Sequence, residues 1–232
     1  MDLNSLLSQK DILQLVSLRE VFAGFAHEIA QPLNAIMIAA QVLQLRVQRG
    51  GLAEEEKQFL VNRLGIVSSQ AQRASLIVDS LRSFSKPRSP SATADIKSSF
   101  ETTRSLMEQQ FMGRGIDLVW ECVDPLPTIN GDSHSVELIL IQGLAFARDS
   151  LEAIGQWHEQ SGLPFSKTVT VDLIALGGRP TARIAWSTGR APEDSQGLAG
   201  ENAVGIALAA SILESMDGSL IVSANSISIT FP

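Results

Sequence analysis

The chain has 232 residues, 44% of them hydrophobic, and a formal net charge of −7 with a pI near 5.0. This composition excludes a disordered chain and leaves room for one or two domains with real cores. It also lacks the clustered lysine and arginine of a nucleic-acid footprint, so no nucleic-acid partner is expected. The single cysteine, Cys122, excludes an internal disulfide and leaves no cysteine-based metal site. It reads as a small apolar filler, and a reducing, cytoplasmic setting fits it. The opening stretch M-D-L-N-S-L-L-S-Q-K has no basic region followed by a long apolar run, so no signal peptide is expected. No stretch approaches the roughly 18 uninterrupted apolar residues of a membrane span.

Residues 11 to 86 predict two long helices. In the first, Leu15, Leu18, Phe22, Phe25, Ile29, Leu33, Ile36, Ala40, Leu43 and Val47 recur in steps of three and four, which is one helix face. Arg49-Gly50-Gly51 reads as the stop, and the acidic turn Glu54-Glu55-Glu56 as the next start. Leu60, Leu64, Val67, Ala71, Ala74, Val78 and Leu81 continue the pattern. A short connection makes the two helices antiparallel neighbours. Two helices alone leave much of the stripe uncovered, so a second copy is expected, giving a homodimer through a four-helix bundle.

Lys86-Pro87-Arg88-Ser89-Pro90-Ser91 reads as a linker. The signals then alternate. A helix is predicted from about Asp95 to Arg114, ending at Gly115, then a strand from Ile116 to Val123 and a turn at Asp124-Pro125. A helix follows from Ser133 to about Trp157, then strands at Thr168–Leu176 and Thr181–Trp186. A loop from Ser187 to Gly200 leads to a helix from about Glu201 to Met216. Two strands, Ser219–Ser223 and Ile227–Phe231, close the chain around Asn225. Helices on one face of a mixed sheet make an α+β sandwich.

The chemistry centres on His27. On a helical wheel it lies about 160° from the centre of the apolar face, at roughly 100° per residue, which predicts exposure. Glu20, Gln31 and Asn34 fall on the same broad polar side. An exposed imidazole with a reference pKa of about 6.5 is a good nucleophile near neutral pH. Glu28 is in position to accept its proton or orient its ring. Pro32 removes one backbone donor and crowds the carbonyl of Glu28, so a bend is expected just after His27. An accessible nucleophile on a rigid element suits phosphoryl transfer. His134 and His158 stand alone in or near a helix and read as ordinary packed histidines.

The whole string A-H-E-I-A-Q-P-L-N-A-I resembles the phospho-acceptor box of bacterial sensor histidine kinases, nearest to the subset reading H-E-I-N-Q-P-L. The resemblance covers both long helices. It implies that His27 is the phosphorylated residue, that Glu28 assists transfer, and that Gln31 takes the position that helps place water for dephosphorylating a response regulator. It implies a dimerisation and histidine phosphotransfer hairpin over 1–86, a linker over 87–94, and a degenerate ATPase-like α/β sandwich over 95–232.

The second half resembles the ATP-binding domain of the same family, but its motifs are eroded. The asparagine box, N-L-L-x-N-A-x-D-A, is matched by residues 142–150, and its metal-binding Asn is replaced by Phe146. Phenylalanine offers no oxygen to Mg²⁺, which demands oxygen ligands in tight geometry. The D-x-G-x-G box is matched by Ser187-Thr188-Gly189-Arg190-Ala191, without the carboxylate that reads adenine. The G-x-G-L-G-L box is matched by residues 201–206, keeping only Gly205, and Glu201 would repel a phosphate at a helix N-terminus. Gly189 reads as a turn and Gly205 as a close helix–sheet contact. Gln142 and Asp149 still offer oxygens nearby. ATP and Mg²⁺ are therefore expected only if the eroded pocket still binds.

The leading expectation is a histidine phosphotransferase that exchanges a phosphoryl group between His27 and receiver aspartates of response regulators. It resembles the dimeric phosphotransferases that keep a degenerate kinase ATPase domain. One alternative is a sensor histidine kinase that phosphorylates His27 from ATP. Another is a non-catalytic regulator or phosphatase of a response regulator.

Overall fold

The computed structural model describes residues 9–49, 54–85, 93–189 and 203–232. The chain divides into two units, one of Met1–Val21 with Arg88–Pro232 and the other of Phe22–Pro87.

Two helices run through the second unit. Helix α1 spans Gln9–Arg49 and α2 spans Glu54–Ser85. The sequence signals at Arg49 and Glu54 mark both inner ends. Gly50, Gly51 and the expected linker at 86–91 lie outside the described residues. Helix α1 continues through Pro32 without a break. Arg46 and Arg63 both stack on the Phe59 ring, at 4.8 and 5.4 Å from its centroid, and tie the end of α1 to the start of α2. Phe25, Pro32 and Ala39 are buried. Phe22, Leu33, Met37, Leu45, Val61 and Leu64 stay more than half exposed in the single chain.

The first unit is an α+β sandwich. After a two-residue strand β1 (Thr93–Ala94) come α3 (Ile96–Met112), β2 (Asp117–Cys122), β3 (Ile129–Asn130) and α4 (Ser133–Gln160). The chain ends with β4 (Thr168–Leu176), β5 (Arg179–Trp186), α5 (Ala203–Ser215), β6 (Ser219–Ser223) and β7 (Ser226–Thr230). The main sheet has the order β2-β4-β5-β7-β6, with β2 and β4 parallel and the other neighbours antiparallel. β1 pairs separately with β3.

Alternation sets the inner face of that sheet. Val169, Val171 and Leu173 on β4, Ala182, Ile184 and Trp186 on β5, and Ile227 and Ile229 on β7 are all buried. They meet α4, whose run from His134 to Arg148 is buried throughout. Gly143 lets α4 come close: a Cβ there would lie 2.8 Å from Ile184 Cδ1 and 3.0 Å from Ile229 Cδ1.

Side-chain caps define the helix starts. Asp95 accepts from the Ser98 backbone N–H at 2.7 Å and opens α3. Asp132 accepts from the Ser135 N–H at 2.9 Å and opens α4. Helix α3 ends where Gly115 takes φ 64° and Ile116 N–H reaches back to the Phe111 carbonyl at 2.9 Å.

Candidate functional site

His27 and Glu28 lie on α1, a single helix on both sides of them. Gln31 and Asn34 are exposed on the same helix. Phe25 is 4% exposed and anchors the turn just before the histidine.

Glu20 does not share this exposure. It was expected on the open polar side of α1, yet it is 6% exposed. The reason is a partner on α4 that no helical wheel reveals. Arg148 Nη2 donates to Glu20 Oε2 at 2.8 Å, and its Nε donates to Asp149 Oδ1 at 2.6 Å. Its Nη1 donates to Gln110 Oε1, while Gln110 Nε2 donates to the Glu20 carbonyl at 2.6 Å. α1, α3 and α4 thus meet in one buried polar network. Burial works against the Arg148 charge, but Asp149 and Glu20 outweigh it and raise the guanidinium above its ordinary pKa.

The positions matched to nucleotide boxes come together around α4 and α5, with several of their polar atoms already engaged. Gln142 is fully buried, and its Nε2 donates to Ser17 Oγ on α1 at 2.7 Å. Gln142 Oε1 has no hydrogen-bond partner among the described residues. A Cβ at Gly205 would run into that oxygen and would lie 3.5 Å from Val16 Cγ1. The close approach expected at Gly205 is therefore to side chains of α4 and α1, not to the sheet.

Phe146, matched by sequence to the metal-binding Asn of the family box, is 7% exposed and packs edge-on to Trp186 with centroids 5.9 Å apart. It belongs to the core. Asp149 is held by Arg148. At the adenine-reading position, Ser187 Oγ donates to the Ser166 carbonyl at 2.8 Å and accepts from Thr168 N–H at 3.1 Å. Gly189 is a turn glycine at φ 58°, and a Cβ there would lie 2.6 Å from His158 Nε2. His158 is buried and stacks on Phe165 at 4.3 Å between ring centroids. Arg190, Ala191, the loop from Pro192 to Gly200, and Glu201 lie outside the described residues.

These side chains do not fit Mg²⁺-ATP in the way the family boxes require. The metal position holds a benzyl ring. Of the two remaining oxygen-bearing side chains, Asp149 is bonded to Arg148, and Gln142 is bonded to Ser17 through its Nε2 while its Oε1 has no hydrogen-bond partner among the described residues.

Cys122 is half-buried, with its Sγ 3.6 Å from Asp124 Oδ1. Burial, reinforced by the Asp124 carboxylate, raises the thiol above its usual pKa and keeps it protonated at neutral pH. Lys97 donates to the same carboxylate at 2.7 Å, which holds Asp124 below the ordinary carboxylate range. Among the described residues, no helix is long and apolar enough to cross a membrane.

Comparison with known proteins identifies the hairpin. Residues 17–90 match the His Kinase A (phospho-acceptor) domain. The chain is similar to the sensor histidine kinase ZraS of Escherichia coli K12, 28% identical over 144 residues, covering 62% of this chain and 29% of that protein. It is also similar to the two-component sensor PprA of Pseudomonas aeruginosa, 29% identical over 143 residues, covering 60% of this chain and 15% of that protein. The chain spans less than a third of the length of either relative. Among solved structures, a bacterial phosphotransferase is similar at 16% identity and a TM-score of 0.43, covering 94% of this chain and 96% of its own. Residues 17–90 thus carry a His Kinase A phospho-acceptor domain, and the chain around it resembles the core of two-component sensor histidine kinases.

Proposed function

We propose that the chain works in two-component signalling by holding a phosphoryl group on His27 and passing it to a response-regulator aspartate. The observation that carries this reading is the intact box A-H-E-I-A-Q-P-L inside the matched phospho-acceptor domain, on an unbroken helix. An imidazole nitrogen attacks the phosphorus of the donor, the donor oxygen leaves with the electron pair, and the phosphoramidate then yields to an aspartate oxygen. Glu28 takes the ring proton or orients the ring, and Gln31 places water for hydrolysis of the response regulator's aspartyl phosphate, which releases inorganic phosphate. Two copies pair through the exposed apolar residues of α1 and α2, such as Leu33, Met37, Val61 and Leu64, and build a four-helix bundle.

A relative named as a sensor histidine kinase makes ATP the first donor to consider, so kinase activity is the reading that the comparisons support. A second reading has one specific observation in its favour. Phe146, packed in the core where the family box has its metal-binding Asn, leaves poor provision for Mg²⁺-ATP, which favours uptake from a phosphorylated receiver domain.

One experiment separates the two. The chain is offered γ-labelled ATP with Mg²⁺ and, separately, labelled phospho-receiver domains. Acid-labile label on the chain, lost in His27→Gln, is expected from one donor, and the donor that works decides between kinase and phosphotransferase. Label that persists in His27→Gln sinks the proposal, and no label from either donor sinks it and leaves a non-catalytic regulator.

A further inference from the structure

The first three turns of α1 do not simply lead into the hairpin. They lie along α4 and α5 and contact both. Gln9 Oε1 accepts from Ser211 Oγ on α5 at 3.0 Å, and Lys10 pairs with Asp132 at the α4 N-cap at 2.9 Å. Further along, Leu13 is fully buried, Ser17 meets Gln142, and Glu20 meets Arg148. The spacing of Leu13, Ser17 and Glu20, in steps of four and three, puts them on one face of α1. That face turns towards α4, and Val16 beside it approaches Gly205 of α5.

Gln142 and Gly205 come from two different eroded boxes. The residues facing them are not a ligand but the chain's own helix. The segment makes three kinds of buried polar contact there: a fully buried hydroxyl–amide pair, a desolvated carboxylate–guanidinium pair, and a backbone carbonyl capped by Gln110. A buried pair of this kind is costly to break by removing one partner, because the other charge is then stranded.

We propose that the α4–α5 groove is a helix clamp whose occupant is the segment Leu13–Glu20 of the same chain, latched by Glu20 on Arg148, so that nucleotide and segment exclude each other. The ATPase-like body thereby acts as a holder for α1 about two turns before the phospho-acceptor His27. The inference rests on packing within this unit and does not depend on the donor used by His27.

Hydrogen exchange by mass spectrometry on the full 232-residue chain tests it. In the wild-type chain, amides of residues 13–20 are expected to exchange as slowly as those of β4 and β5. In Glu20→Gln combined with Ser17→Ala they exchange about tenfold faster or more, with β4 and β5 unchanged. The milder Glu20→Gln alone serves if the double variant loses its sheet protection. Fast exchange at 13–20 in the wild-type chain, or protection unaffected in the variants, overturns the clamp. Adding millimolar ATP with Mg²⁺ gives the second arm. No binding with 13–20 protected, or binding that deprotects 13–20, supports exclusion. ATP that binds while 13–20 stays protected overturns it.

Discussion

Arg148 on α4 and Glu20 on α1 form an ion pair at 2.8 Å, with side chains only 6% and 7% exposed. The two residues are far apart in sequence, and the same guanidinium also reaches Asp149 and Gln110. One arginine thus joins three helices. Its charge is compensated twice, by carboxylates on α1 and on α4, which is why burial does not neutralise the site.

Arg148→Ala should therefore cost about 3–5 kcal/mol of unfolding free energy, since it strands Glu20 in a buried position. Glu20→Gln should cost less, because Asp149 still compensates Arg148. Urea unfolding of both single variants and of the double variant gives the coupling between the two residues. A coupling near zero would show that the pair contributes nothing specific.

Phe146 fills core space against Trp186. Phe146→Ala should cost about 3–5 kcal/mol through the cavity it leaves. Phe146→Asn restores the residue type of the family box but buries an amide beside an indole, so it should destabilise as well and leave Gln142 still bonded to Ser17. Tryptophan fluorescence during urea unfolding reads both. A Phe146→Asn chain as stable as wild type would contradict the core assignment.

Asp132 gives a pH dependence. Burial opposes its charge, but the Ser135 hydroxyl and backbone N–H, together with Lys10, outweigh it and lower its pKa below the ordinary value. A carboxyl whose folded-state pKa is depressed adds stability above its unfolded pKa, about 3.9, and loses it as pH falls through the folded value. Asp132→Ala should cost about 1 kcal/mol at neutral pH as a lost helix cap. The gap to wild type should narrow below roughly pH 4, where the carboxyl begins to protonate. Equal gaps at neutral pH and at pH 2 would remove the electrostatic part of the argument.

Gly115 ends α3 in the left-handed region, at φ 64°. Nothing crowds a Cβ at that position, so the cost of Gly115→Ala is conformational only. It should be about 1–2 kcal/mol, visible as a lower melting temperature. An unchanged melting temperature would mean that the α3 end relaxes without strain.

Much of this protein was legible from local pattern alone. The three-four spacing from Leu15 to Val47 marked α1, and Arg49-Gly50-Gly51 and Glu54-Glu55-Glu56 marked its junction with α2. Strand alternation marked β4 with both ends correct, because one of its faces is buried and the other is not. Strands β1 and β3 left no trace, since two residues cannot show a period; only their pairing defines them. The box around His27 and the erosion at Phe146, Ser187 and Gly205 were also readable, because residue chemistry at fixed spacing needs no coordinates.

What sequence alone marked, then, is which residues are candidates for chemistry and which elements carry them. Tertiary packing decided which of those side chains are already occupied. Glu20 looked like one more polar residue on the open side of a helix, because a wheel knows only its own helix. It is buried because Arg148 and Gln110 arrive from α4 and α3 respectively. Gly205 looked ready to meet the sheet, yet it faces Gln142 and Val16. Long-range partners bring no periodic signal to either sequence segment, so only the folded chain could reveal that the start of α1 lies along α4 and α5.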